Sequence, residues 1–285
     1  MPRLRRTVWV GVIALLAVAF GYLALTSRET SLAQVRQRGV IRVGYAVEAP
    51  YAYVDDGRVI GESPDVATRV VHGLGIPKIA WVQTTFDRLI PELIQGRFDV
   101  IAAGMFITDD RRHQVAFSQA TFQVRQALLV KRGNPLALHA YDDLAASDSC
   151  RVAVVASAFE RDLSLQAGVP DARIIQVPDS LTGRVAVESG LVDALALSTI
   201  TINWLARGDA LGRTEVATPF SQPTRGHGAV AQAGAFAFRQ GDTALREAWD
   251  TELSRFAGSD EHLRLIAPYG FTRAELPPTA AGPQS

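Results

Sequence analysis

The chain has 285 residues, 48% hydrophobic and 20% charged, enough for two cores of about 100 residues each and too apolar for disorder. Its 29 Lys plus Arg equal its 29 Asp plus Glu, so no overall field draws it to nucleic acid, an anionic membrane surface or an acidic polymer, and specificity must come from a local site. The single cysteine, Cys150, excludes an internal disulfide.

In chain order, Arg3, Arg5 and Arg6 precede an uncharged run from Val8 to Leu25, and polar Thr26, Ser27 and Arg28 follow it. That layout predicts a secretory signal over residues 1–30 and therefore export to the periplasm. The run also just reaches the ~18 apolar residues of a marginal membrane span, so an uncleaved inner-membrane anchor is the other expectation. No cysteine closes the run, which removes the thiol a lipid anchor needs.

Gly39 to Tyr45 alternates like a half-buried strand, and Pro50 breaks the pattern. Asp56-Gly57 predicts a hairpin turn, and Ser63 before Pro64 predicts an N-cap for a helix running to Leu74. A strand over Ile79–Gln83, a helix through Phe86, Leu89, Ile90 and Leu93, and a buried strand from Phe98 to Met105 follow. After a strand from Gln126 to Val130, the turn-rich Lys131-Arg132-Gly133-Asn134-Pro135 is expected to cross between lobes. Strands at Arg151–Val155, Arg173–Val177 and Ala194–Leu197 then alternate with helices at Ser157–Ala167 and Ser180–Ser189, which predicts a second α/β layer, with Cys150 as a small residue at a buried strand edge. A strand from Ala233 to Phe238 and a helix reaching Phe256 should return to the first lobe, ending near Tyr269-Gly270-Phe271.

Two Gly-x-x-Asp segments, Gly96 to Asp99 and Gly190 to Asp193, echo one another, each glycine ending a helix and each aspartate expected to satisfy loop amides. The expected organisation is lobe 1 from residues 31–127 plus 230–271, lobe 2 from 128–229, a tail over 272–285, and a cleft between the lobes.

The most specific string is Gly104-Met105-Phe106-Ile107-Thr108-Asp109-Asp110-Arg111-Arg112, continuing to Phe117-Ser118. It resembles the signature of the periplasmic binding proteins of polar amino-acid and compatible-solute ABC importers (family 3 type), and the likeness spans roughly Val40 to Phe271. The resemblance implies a two-lobed α/β fold of type II with two crossing strands as hinge, capture by closure, no cofactor, no catalytic residue, and delivery by a monomer to a membrane permease. Chemistry agrees for Arg111: an arginine just after a strand's carboxyl end aims a planar fork of donors into the cleft for a carboxylate, while Arg112 takes the surface role.

Three departures from the family's amino-acid binders bear on the ligand. Phe106 replaces a small hydroxyl residue, Ser198 stands where many relatives hold an ammonium-binding aspartate, and Ser157-Ala158-Phe159 replaces a Gly-Thr-Thr-like turn whose backbone amides can still meet a carboxylate. Tyr51, Phe86 and Phe106 then become candidate walls of an aromatic cage for a delocalised cation, with Glu48 as counter-charge. The set Glu48, Tyr51, Phe86, Phe106 and Arg111 is similar to the ectoine-binding subgroup. Gly104, Ser157, Phe159 and Ser198 complete the candidate ligand-binding residues; Trp204 is read as core. A betaine or a polar amino acid is the alternative ligand, a cyclic-carboxylate dehydratase with Glu48 as acid/base the alternative class, and a tethered sensor a third reading. Asp55, Asp56, Arg58 and Glu62 are candidates for the permease-docking face. His72, His113, His139, His227 and His262 show no paired metal-ligand spacing, no glycine-rich phosphate loop follows a strand, and His227 reads as part of a flexible hinge-side loop.

Overall fold

The computed structural model describes residues 31–223 and 231–277. The expected signal or anchor over 1–30, the loop carrying His227, and the end of the tail lie outside the described residues.

A helix α1 (31–38) leads into β1 (Val40–Ala46), the hairpin β2 (Tyr53–Asp55) and β3 (Arg58–Ile60), α2 (Glu62–Gly73), β4 (Lys78–Thr84), α3 (Leu89–Ile94), β5 (Val100–Ile101), the short α4 (Asp109–Arg112), β6 (Ala116–Phe117) and β7 (Phe122–Val124). The chain continues through β8 (Gln126–Lys131), α5 (Tyr141–Ala146), β9 (Val152–Val155), α6 (Phe159–Gln166), β10 (Ile174–Val177), α7 (Ser180–Ser189), β11 (Ala194–Ser198), α8 (Thr199–Arg207) and β12 (Thr214–Val216). It returns by β13 (Gln232–Gly234), β14 (Ala237–Phe238), α9 (Thr243–Leu253) and α10 (Asp260–Ile266).

These strands form two five-stranded sheets, ordered β4-β1-β5-β14-β6 and β10-β9-β11-β8-β12, and two-stranded pairs β13-β7 and β2-β3. In the first sheet β1 lies between β4 and β5, and in the second β9 lies between β10 and β11; each trio is parallel, and an antiparallel strand, β14 or β8, follows on one side. Helices cover the sheets because β8, β9 and β11 are buried almost throughout, as continuous apolar strands require. This arrangement brings the carboxyl ends of β1, β4 and β5 to face those of β9 and β11, the side of an open α/β sheet where ligands bind.

The sequence echo is a structural repeat. Gly96 and Gly190 both adopt left-handed φ, 75° and 77°, at the end of a helical segment. Three residues on, the Asp99 amide donates to the Arg42 carbonyl at 2.8 Å while its carboxylate accepts from the Arg42 amide at 2.9 Å; Asp193 does the same with Arg151, at 2.8 Å each. Asp99 adds ion pairs to Arg38 and Arg42 at 2.6 and 2.7 Å, contacts that the loop-amide expectation omitted.

Several expectations need correction. Lys131–Pro135 does turn, but it follows β8 inside the second sheet; the chain passes from one sheet to the other at Val124–Gln126, where β7 pairs with returning β13. Ser63 is not the N-cap of α2: Gly61 is, since the Ser63 hydroxyl instead accepts from the Gly104 amide and donates to Glu62. The strand expected over Phe98–Met105 is regular only at Val100–Ile101, because its antiparallel neighbour β14 meets it at one residue pair and Gly104 turns to positive φ. The strand expected over Ala233–Phe238 is split, Gln232–Gly234 pairing with β7 and Ala237–Phe238 with the first sheet. Glu62 is fully buried and belongs to no docking face. Cys150 is a buried free thiol whose pKa burial pushes up to about 11.

Burial opposes ionisation of Asp99, yet hydrogen bonds from the Arg42 side chain and amide, with the charges of Arg42 and Arg38, hold its carboxyl below the ordinary range. Its stabilising contribution is therefore present above the unfolded-state pKa and lost as pH falls through the folded value. Asp99→Asn should cost about 2 kcal/mol at pH 7, and the gap between wild-type and variant melting temperatures should narrow as pH falls below the ordinary carboxylate value of 3.8.

Candidate functional site

Each candidate residue sits where a strand ends. Beyond β1, a two-bond bridge between Glu48 and Ala52 holds a tight loop that aims Glu48 and Tyr51 at the second sheet. Phe86 opens a 3₁₀ turn after β4. Gly104 and Phe106 follow β5, with Phe106 bridged to Gly234 of β13. Gly104 has φ 62°, and a Cβ there would stand 2.5 Å from the Tyr51 ring, so this glycine is required by the packing of Tyr51; its amide is already bound to Ser63.

Arg111 lies on the short α4, capped by the Thr108 hydroxyl, and is 8% exposed. Its guanidinium reaches across the cleft: Nη1 donates to the Phe106 carbonyl at 2.8 Å and Nη2 to the Ser157 carbonyl, beyond β9, at 3.0 Å. The Phe86 ring lies 5.4 Å from its Cζ, within cation–π range. Burial lowers the Arg111 pKa, and the charges of Glu160, Asp162 and Glu48, in that order, oppose the shift.

On the opposite side, Ser157 takes φ 62° and helix α6 starts at Phe159, two residues later than expected. Phe159 meets Phe106 edge to face at 6.3 Å. Ser198 caps α8 and joins a hydrogen-bonded chain that crosses the cleft twice. The Tyr51 hydroxyl donates to Ser198 Oγ at 3.0 Å, Ser198 to Thr201 Oγ1 at 3.3 Å, and Thr201 to Glu48 Oε1 at 2.9 Å. Trp204, read as core, is half-buried and packs on Tyr53 at 5.6 Å, another contact between the sheets.

A cavity of about 250 Å³ opens beside Arg111, lined by Phe86, Met105, Thr108, Ser157 and Phe159 among others, and one of about 110 Å³ lies beside Glu48. Phe86 borders both. The two cavities put one buried guanidinium and the half-buried Glu48 carboxyl on either side of Phe86, a mixed polar and aromatic lining suited to a small charged molecule.

The comparisons with known proteins fit this geometry. Residues 41–272 match the model of the bacterial extracellular solute-binding proteins, family 3. The chain belongs to that family. This solute-binding protein is 34% identical over 275 residues to a probable amino-acid ABC transporter periplasmic-binding protein of Sinorhizobium fredii, covering 95% of this chain and 90% of the relative. Among solved structures it is similar to EhuB in complex with hydroxyectoine, at 35% identity and a TM-score of 0.79, covering 86% of this chain and 93% of that one. It is also similar to an ancestral amino-acid-binding protein described as a precursor of cyclohexadienyl dehydratase, at 25% identity and a TM-score of 0.72, covering 84% and 98%. The solute-binding protein thus has the two-lobed type II periplasmic binding protein fold, of the kind that serves ABC importers of amino acids and related solutes. Among the described residues no helix is long and apolar enough to cross a membrane.

Sequence reasoning missed three residues here. Thr201 completes the polar chain to Glu48, and Ser198-x-x-Thr201 at a helix start was its one available signal. Phe122, on β7, packs against Tyr51 at 5.1 Å and Phe106 at 6.2 Å, and nothing in its local spacing announced it. Glu160 is buried, although acidic residues in a first helical turn usually face water; its place on the stripe with Leu163 and Ser164 was the readable sign.

Burial pushes the Glu48 pKa from 4.5 up to about 7 despite the Thr201 hydroxyl and Arg111. Burial, then the Glu48 charge, pushes Glu160 up to about 8. If opening the lobes returns both groups to water, protonation favours the closed form: its contribution is complete below the ordinary value and is lost as pH rises through 7 and 8. Small-angle X-ray scattering of the ligand-free protein should show the radius of gyration growing between pH 5 and 9, as set by those two values. Glu48→Gln should remove the lower-pH part of that growth; a flat wild-type profile would contradict the assignment.

Proposed function

We propose that this protein captures a small zwitterionic compatible solute of the ectoine or hydroxyectoine type, without turning it over, and delivers it to an ABC permease in the inner membrane. The observation that carries the reading is the gathering of Glu48, Tyr51, Phe86, Phe106 and Arg111 at the facing strand ends, with a hydroxyl at Ser198 instead of an acid. In this reading the Arg111 fork exchanges its carbonyl partners for the solute carboxylate, the aromatic faces take the delocalised cation, and Glu48 accepts from its N–H. The 35% identity to a protein solved with hydroxyectoine supports it. The lobes, divided near residues 127 and 230, close as a periplasmic monomer, and a solute bridging both shifts the population toward the closed form that the permease meets. The export segment, cleaved or kept as a tether, places the lobes on the outer face of the inner membrane.

A polar amino acid is the competing ligand. Thermal-shift screening of the purified protein against ectoine, hydroxyectoine, glycine betaine, proline and polar amino acids separates them, because only ligands of the folded state raise the midpoint. A shift with ectoines alone is expected; a shift with free amino acids alone sinks the cage. Arg111→Ala should weaken ectoine binding by at least about 100-fold while the protein still melts cooperatively. Glu48, with a pKa near 7, could also serve as an acid/base. Incubation with ectoine followed by recovery of unaltered ectoine is the result that capture requires.

A further inference from the structure

The outgoing strand leaves the first lobe at Val124, paired with Gln232 of β13, and enters the second at Gln126, the first residue of β8, so that exposed Arg125 alone lies between. On the outer side of β8 the ladder comes from β12. It runs from Thr214 opposite Lys131 to Val216 opposite Leu129, and the Ala217 amide still donates to the Leu128 carbonyl at 2.9 Å. Two residues further the same register sets Pro219 opposite Gln126, and a proline has no N–H for the Gln126 carbonyl. The Gln222 side chain takes its place: Nε2 donates to the Gln126 carbonyl and Oε1 accepts from the Gln126 amide, both at 2.9 Å. A carboxamide carries the same donor and acceptor as a peptide group, so it closes the ladder where the backbone does not.

Gln222 stands on a segment fixed to lobe 2. The Ser221 amide donates to the His139 carbonyl at 2.7 Å, His139 Nδ1 meets the Pro219 carbonyl at 2.8 Å, and Phe220 packs on Tyr141 at 6.1 Å. The two crossings are therefore tied at both ends, by the β7-β13 ladder on the first lobe and by this clasp on the second. The Arg125 carbonyl is held as well, by the Thr199 amide at 2.8 Å, which leaves bending of the outgoing strand to the bonds between Val124 and Arg125. Gln126 is also the ladder partner of Ser198, which receives the Tyr51 hydroxyl across the cleft, so the setting of Gln126 is passed on to a contact between the lobes.

We propose that Gln222 is a positioning residue for capture: by clasping the backbone of Gln126 it confines the hinge and so fixes how far the ligand-free lobes part. This rests on capture by closure, as proposed above, and not on which solute is captured. Without the clasp the returning segment no longer grips the outgoing strand at its entry to lobe 2, the ligand-free ensemble spreads, and a smaller fraction stands ready to close.

The test is amide hydrogen exchange and small-angle X-ray scattering on the ligand-free wild type, Gln222→Ala, Gln222→Glu and Gln123→Ala. Gln123 lies on β7 and sends Nε2 to the Ala274 carbonyl at 3.4 Å, so it controls for the loss of a glutamine beside the hinge. In Gln222→Ala the Gln126 amide should exchange about tenfold faster or more and the radius of gyration should grow; Gln123→Ala should do neither. An ionised glutamate keeps the acceptor and loses the donor. Gln222→Glu, compared with wild type at each pH, should therefore resemble Gln222→Ala at pH 7 and return to wild type as pH falls below the ordinary value of about 4.3, a rescue that lost packing would not give. Unchanged exchange in Gln222→Ala overturns the proposal, and so does faster exchange at an unchanged radius, which would make the clasp a local bond. Saturating ectoine should bring the radius of Gln222→Ala back to that of the liganded wild type; a wild type that ignores ectoine sinks the solute reading alone, and the ligand-free comparison still decides the clasp. Should Gln222→Ala fail to fold, Gln222→Glu decides, since a variant that does not return to wild type at low pH overturns the proposal.

Discussion

The structure turns on the cost of closing two protein surfaces over charge. Arg111 is buried with its fork on carbonyls from both lobes, and Glu48 is half-buried, its carboxylate accepting from the Thr201 hydroxyl. Each group takes at least one partner from across the cleft, the Ser157 carbonyl for Arg111 and the Thr201 hydroxyl for Glu48. The same contacts that make the closed form expensive to charge make it specific, because a wrong occupant leaves one of these groups unpaired.

The scaffold serves that closure by repetition. Each sheet places its strand ends with the same Gly-x-x-Asp lock, a left-handed glycine followed by an aspartate whose amide and carboxylate both grip a residue at the entry to the neighbouring strand. Locks at the amino ends of β5 and β11 fix the register of the strands whose carboxyl ends carry Phe106 and Ser198. Precision at the site is thus set about one strand length away, in parts that never meet a ligand.

Much of the fold was legible in the sequence because the signals were local. Strand alternation, the Asp56-Gly57 turn and the helix through Ser180–Ser189 all correspond to elements found there. The failures were cases where a residue's partner lay far along the chain. Ser63 reads as a cap until its hydroxyl is seen on Gly104, 41 positions away, and Lys131–Pro135 reads as a crossing until β8 is seen paired with β11 and β12. At the site, the resemblance pointed to Arg111, Phe106 and Glu48, which converge; it pointed to Gly104 as well, whose reason is the Tyr51 ring. Thr201 and Glu160 carried faint local signs, a capping spacing and a buried helical stripe, while Phe122 gained its position from contacts that no local pattern encodes.

Phe122 also bears on how the lobes move. It lies on β7, one of two paired strands by which the chain crosses, and its ring touches Tyr51, Phe106 and Phe271. A hydrogen-bonded ribbon bends across its plane more readily than it shears along it, so opening follows close to a single arc instead of a free tumble. Phe122 sits at the crossing with its ring against Tyr51 and Phe106. Aromatic packing at this fulcrum ties the crossing ribbon to Tyr51 and Phe106, so the bulk of Phe122 bears at once on the ease of opening and on the set of the rings beside the cleft.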